Sequence, residues 1–92
     1  MSEHQETRAR FAQTAESAQR LAGVVAARHR GDLTGANSLL CSFDDEQCKV
    51  AGSVFLCDIV LSLLAQAEGR DIADVASDVS MQLAALTETT QN

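Results

Sequence analysis

The three cysteines are the residues best suited to chemistry, either as metal ligands or as a redox pair. Cys41, Cys48 and Cys57 are separated by six and eight residues, a spacing that matches neither a CxxC pair nor a zinc knuckle. Cys48 and Cys57 would lie about 180° apart on one helix, so a single chain cannot bring both to one metal ion. We therefore expect all three cysteines to be structural, as small hydrophobic side chains.

The two histidines do not complete a catalytic set. His4 and His29 have no carboxylate or cysteine at ligand spacing, and His29 lies between two arginines, where its charge would favour the negative end of a helix dipole. The sequence contains neither a glycine-rich phosphate loop nor an HExxH pattern. We predict a chain that is not an enzyme and that binds no metal and no cofactor.

Asp58 lies within the most apolar run of the chain, where a buried carboxylate is costly unless it is paired. Two interpretations stay open. In the first, Asp58 bonds Ser62, an arginine of the first helix, or its own copy across a dimer. In the second, it marks a surface to which a partner protein binds.

The element that must position Asp58 is a central helix, predicted from Ser42 to Glu68. Ser42 is a suitable N-cap, the acidic residues after it favour the positive end of the helix dipole, and Gly69 is a suitable stop. A helix that is apolar nearly all round is typically buried on several sides. One face carries Val50, Val54, Cys57, Leu61 and Leu64, and another carries Gly52, Leu56, Ile59 and Leu63.

Three short partner helices could cover both faces, but a second copy of the chain would do so more easily. We predict a homodimer through Gly52, Leu56, Ile59 and Leu63, with Gly52 allowing two backbones to approach closely. Whether this face is instead core within one chain stays open. A membrane span is the competing interpretation, but Lys49, Asp58 and Gln66 interrupt the apolar run, and no second span or positive flank accompanies it.

The flanking sequence predicts three further helices. Residues 4–30 form a long first helix that Gly31 ends, with Ser2 and Gln5 spaced as a capping box. Its apolar stripe is predicted to consist of Phe11, Ala15, Ala18, Leu21, Ala22 and Val25, with Val24 at the margin. Asp32 caps a short second helix from Leu33 to Cys41. Asp71 caps an amphipathic last helix, whose apolar residues are Ile72, Val75, Ala76, Val79, Leu83 and Leu86. We predict an all-α, compact four-helix bundle with a long buried third helix, as a single domain over 1–92 with frayed or disordered ends at 1–8 and 87–92.

The charge is unevenly distributed. Residues 1–30 carry five Arg and three Glu, whereas residues 31–92 carry two basic and ten acidic residues, which together give the net charge of −6. Such a chain would be repelled by phosphate backbones, so we expect no direct nucleic-acid binding. Neither Trp nor Tyr is present, which leaves Arg8, Arg10 and Arg20 as candidate anchors for a protein partner, with Asp78 as an acidic candidate.

Three short segments at predicted turns or helix starts also carry a resemblance: Gly31-Asp32, Asp44-Asp45-Glu46, and Gly69-Arg70-Asp71 with Val75. In this pattern, over about 55 residues, the chain resembles small all-helical proteins of actinobacteria and their phages. Most of these proteins have no known function, and some phage members are thought to bind host proteins. The resemblance implies a helical fold and protein binding but no particular functional residue.

We therefore expect a cytoplasmic, non-catalytic accessory or regulatory protein that binds another protein and is encoded by a phage to act on its host. The alternative is an acidic mimic of nucleic acid that occupies a basic nucleic-acid-binding protein. The two hypotheses predict different salt dependence, because association through charges is screened by salt and association through apolar surface is not.

Overall fold

A computed structural model describes the backbone of residues 3–90 and the side chains of residues 3–88. Within this range the chain forms four α-helices and no strand: α1 (Glu3–His29), α2 (Leu33–Leu40), α3 (Glu46–Glu68) and α4 (Ile72–Thr90). The all-α class and the long, short, long order of the first three helices are confirmed. Their arrangement as a compact bundle stays a prediction.

Helical structure reaches into both ends of the chain. Residues 3–8 belong to α1 and residues 87–90 to α4, although both were expected to lie in frayed or disordered ends. The hydroxyl of Thr7 donates to the carbonyl of Glu3 at 2.9 Å, and the hydroxyl of Thr87 donates to that of Leu83 at 3.1 Å, so neither threonine interrupts its helix. The capping residue predicted at Ser2 and the last two residues, 91 and 92, lie outside the described residues.

Gly31 and Gly69 end α1 and α3 as the sequence predicts. Both adopt positive φ, 81° and 65°, which glycine reaches without the steric cost that a side chain adds. After α3, the amide of Arg70 donates to the carbonyl of Ala65 at 3.0 Å, and the amide of Gly69 donates to that of Gln66 at 3.3 Å. This pair of bonds is the Schellman motif, which satisfies carbonyls at the end of the helix.

The helix starts agree with the sequence at α2 and differ at α3. Asp32 caps α2 by accepting a hydrogen bond from the amide of Gly35 at 2.8 Å. The cap of α3 is Asp45, whose carboxylate accepts from the amide of Cys48 at 2.7 Å, and not Ser42 as predicted. The hydroxyl of Ser42 instead donates to the carbonyl of Leu39 at 2.7 Å, because Ser42 still lies in the turn that follows α2.

The chain divides into two compact units, Met1–Cys57 and Asp58–Asn92, and α3 runs through the boundary. In the first unit, α1 packs against α2 around Val24, Ala27 and Ala36, with Leu39 and Leu40 against them. The buried face of α1 is therefore rotated from the predicted stripe, since Val24 is buried and Val25 is exposed. The prediction of a single domain over 1–92 stays a prediction.

The first unit also brings α1 against the first half of α3. A Cβ built on Gly52 would lie 2.6 Å from the Cβ of Ser17 and 3.0 Å from the backbone nitrogen of Ala18. The rings of Phe11 and Phe55 meet edge to face, with centroids 5.5 Å apart. In the second unit, Ala65 of α3 and Val75 of α4 are the buried hydrophobic residues among those described.

The prediction of a buried third helix is wrong for the single chain. Six large aliphatic side chains of α3 remain exposed: Val50, Val54, Ile59, Val60, Leu63 and Leu64. One side of α3 packs on α1 at Gly52, and this contact leaves other apolar faces of the helix in contact with solvent. The apolar composition of α3 predicts that most of its surface is buried, but the rest of the chain covers only part of that surface.

Candidate partner-binding surfaces

The three cysteines are all free thiols, Cys41 and Cys57 exposed and Cys48 half-buried. Among the described residues, no three His, Cys, Asp or Glu side chains are grouped so that they could hold a metal ion. The hydrogen bond of the Cys48 thiol to the Asp45 carboxylate raises the pKa of that thiol, and partial burial and the nearby charges of Asp45 and Asp44 add to the effect. Cys48 is thus the opposite of an activated nucleophile.

Asp45 responds in the other direction. The amide of Cys48 donates to its carboxylate, and this bond lowers the pKa of Asp45 below its ordinary value, with a further contribution from the thiol of the same residue. The Asp45–Cys48 pair therefore acts as a helix cap at the start of α3.

Asp58 is exposed on α3, so the cost of burying a carboxylate does not arise in the single chain. The predicted dimer face is divided by the structure. Gly52 is buried against α1 and Leu56 is half-buried, whereas Ile59 and Leu63 are exposed. The close approach predicted for Gly52 is found, but its partner is α1 of the same chain. The four residues therefore do not form one free face.

The candidate anchors also fall into two groups. Arg8 and Arg10 are exposed on the first half of α1. Arg20 is occupied within the chain, because its guanidinium donates to the carbonyl of Ser42 at 3.1 Å and to Glu16 at 2.9 Å and lies 5.6 Å from the ring centre of Phe43. It joins α1 to the turn before α3.

Asp78 is likewise paired within the second unit. Its carboxylate accepts from the guanidinium of Arg70 at 2.7 Å, and Arg70 also donates to Glu68 at 3.2 Å. The hydrogen bond to Asp78 is the main reason that the pKa of Arg70 is raised. These groups are about half exposed, so the pairs orient the turn between α3 and α4 more than they stabilise it.

One long apolar surface on α3 is not covered by the chain. We call it the α3 stripe; its residues are Val50, Val54, Cys57, Leu61 and Leu64, spaced at i, i+4, i+7, i+11 and i+14. Val54 is 58% exposed, Val50 and Leu64 are also exposed, and Leu61 is half-buried. The alternation of four and three residues is the spacing with which helices pair in coiled coils.

A second apolar surface lies at the end of α4. The α4 stripe consists of Ile72, Val75, Val79, Leu83 and Leu86, and its burial is greatest at Val75 and falls from there to the end of the helix. Val75 is 1% exposed and Val79 half-buried, but Leu83 is 58% and Leu86 62% exposed. The stripe thus continues with unchanged spacing beyond the point at which it is covered.

Among the described residues, α3 is also the one helix long and apolar enough, by length and composition, to cross a membrane. That property reflects the same exposed side chains as the α3 stripe, so it must be separated from protein binding by experiment. No protein-family model, no curated protein and no solved structure matches this chain.

Proposed function

We propose that this chain is a small, non-catalytic accessory or regulatory protein that acts by binding another protein. The observation that carries the proposal is the exposed end of the α4 stripe. Isolated exposed hydrophobic residues are common on protein surfaces, whereas a contiguous apolar surface is typical of an interaction site. Leu83 and Leu86 extend a stripe that is buried at Val75 and half-buried at Val79, so they form such a surface.

The chemistry of this surface favours a hydrophobic groove on the partner. An amphipathic helix that presents apolar residues three and four positions apart is a common ligand for such grooves. Val79, Leu83 and Leu86 have this spacing, and the other side of the same helix carries Met81, which is 69% exposed and offers a matched control position. In keeping with the resemblance to actinophage proteins, we propose that the partner is a host protein.

A tagged pull-down from an actinobacterial lysate, read by mass spectrometry, tests the proposal. The expected result is a protein retained by the wild-type chain and by the Met81→Glu variant, and lost with the Leu83→Glu, Leu86→Glu double variant. Circular dichroism controls for helicity. The proposal is wrong if every retained protein is indifferent to the double variant, because the α4 stripe would then play no part in binding.

The acidic mimic is supported by a different observation, the net charge of −6 with exposed acidic residues at the start of α3, among them Asp44 and Glu46. Its partner would be a basic nucleic-acid-binding protein. Washing the same pull-down at low and at high salt separates the two hypotheses. A partner held by Leu83 and Leu86 stays bound at high salt, whereas a partner held by acidic groups is released.

A further inference from the structure

We infer that a groove between α1 and α2 is a docking site for an acidic amphipathic helix of a protein partner. The site goes beyond the proposed function, because it lies within the first unit and shares no residue with the α4 stripe. We call it the α1/α2 groove. Its lining consists of Val24, Val25, Leu33, Ala36, Asn37 and Leu40, with Arg28 and His29 at the end nearest the turn between the two helices.

The α1/α2 groove has an apolar floor and an apolar rim that is open to solvent. Val24 and Ala36 form the floor and are buried, 6% and 2% exposed, where α1 packs on α2. At the rim, Val25 is 49% and Leu33 is 64% exposed. The groove consists of two adjoining recesses of about 270 and 470 Å³, which share Arg28 and Leu33. A partner that covers the rim would therefore add apolar contacts to a core that already exists.

The charge around the groove is basic and determines which partner fits it. Arg28 and His29 line the groove, and Arg30 follows them directly in the chain. No lining residue is acidic, and α2 carries no charged side chain. The carboxylate of Asp32 accepts from the amide of Gly35 as the cap of α2. The first unit has six basic and seven acidic residues, so most of the net charge of −6 belongs to the second unit and does not oppose an acidic ligand here.

The two arginines at the groove have no acidic partner in the chain. Arg20, Lys49 and Arg70 each form an ion pair with a carboxylate. Among the described residues, the side chains of Arg28 and Arg30 form none. The negative end of the α1 dipole favours positive charge at this position, but this effect leaves the guanidinium donors free. A carboxylate of a partner can therefore accept two hydrogen bonds from Arg28 without displacing an internal acid.

The open shape of the groove favours a helix over a small molecule. Small-molecule sites typically bury about 70–90% of their ligand, whereas a groove whose rim residues are half exposed or more covers one side of its occupant. An amphipathic helix needs cover on one side only, where its apolar residues recur three and four positions apart. The eight residues of α2 span about 12 Å, which is the length of about two turns of such a helix.

Selection of a phage-displayed library of helical peptides on the immobilised full chain tests the inference. The enriched peptides should be acidic and should carry apolar residues at helical spacing. Arg28→Glu and Leu33→Asp should each raise the Kd of the best peptide about tenfold or more. The matched control is the double variant Gln5→Glu, Gln19→Glu, which changes the net charge as much as Arg28→Glu does, at exposed positions of α1 outside the groove, and should change the Kd less than about twofold.

A charge exchange separates recognition from a loss of structure. The best peptide with its acidic residues replaced by lysine should bind the wild-type chain weakly and the Arg28→Glu chain more tightly. Selected peptides that are basic or neutral, or that bind the Arg28→Glu chain as well as the wild type, overturn the inference.

Other occupants of the groove would each give a different result, and each of these results also overturns the inference. Self-association in sedimentation equilibrium that Leu33→Asp abolishes assigns the groove to a second copy. Co-sedimentation with phosphatidylglycerol vesicles that depends on Arg28 assigns it to a lipid surface. A large fall in Tm with Leu33→Asp shows that the chain itself covers the groove, since Leu33 is 64% exposed and its replacement should otherwise change the Tm little.

Discussion

Gly52→Ala probes the packing of α1 against α3 most directly. The new Cβ would lie 2.6 Å from the Cβ of Ser17 and 3.0 Å from the backbone nitrogen of Ala18, so the obstruction includes main chain and cannot rotate away. Carbon atoms in contact prefer about 3.5–4.0 Å, so the two helices must separate by about 1 Å. Overpacking of this kind costs about 1–3 kcal/mol, against a gain of about 1 kcal/mol from replacing glycine within a helix.

The net expectation is a loss of about 1 kcal/mol, which corresponds to a fall in Tm of about 4–8 °C for a chain of this size. The assay is urea unfolding followed by circular dichroism, at one fixed protein concentration because dimerisation would make stability concentration-dependent.

Gly23→Ala is the matched control. It also lies within a helix, but its Cβ would meet only Leu39 Cδ1 at 3.4 Å, an ordinary contact, so it should stabilise the chain. If Gly52→Ala stabilises as much as Gly23→Ala, α1 and α3 do not approach each other as described.

The start of α3 and the turn after it give three further predictions. Asp45→Ala lowers the Tm while Asp45→Asn keeps most of it, because asparagine also caps helices. Since the folded state lowers the pKa of Asp45, the contribution of its carboxylate to stability is complete above about pH 4 and is lost as the pH falls through the folded pKa. A titration of Tm with acid should find this loss in the wild-type chain and not in Asp45→Asn. Cys48 reacts with iodoacetamide more slowly at pH 8 than Cys41 or Cys57, as peptide mass spectrometry would measure, and equal rates would contradict the role of Asp45. Asp78→Ala changes the free energy of unfolding in urea by less than about 1 kcal/mol, because its ion pair with Arg70 is solvent-exposed; a larger loss would mean that the turn depends on that pair.

The helix boundaries show which features the sequence can predict. Gly31, Asp32 and Gly69 were identified because a glycine stop or a capping carboxylate acts within a few residues of its own position. The start of α3 was misplaced because Ser42 and Asp45 are both good caps. The choice depends on long-range contacts, since Arg20, 22 residues earlier, binds the carbonyl of Ser42 and holds it in the turn.

The surfaces show where sequence reasoning ends. The position of Gly52 on a helical wheel indicates a close approach but not whether α1 or a second copy provides it. The same holds for Leu83 and Leu86, whose spacing predicted an apolar stripe but not that it would extend past its cover. The sequence does contain an indication of this exposure, because a stripe of five apolar residues along the last helix needs an apolar partner of equal length elsewhere in the chain.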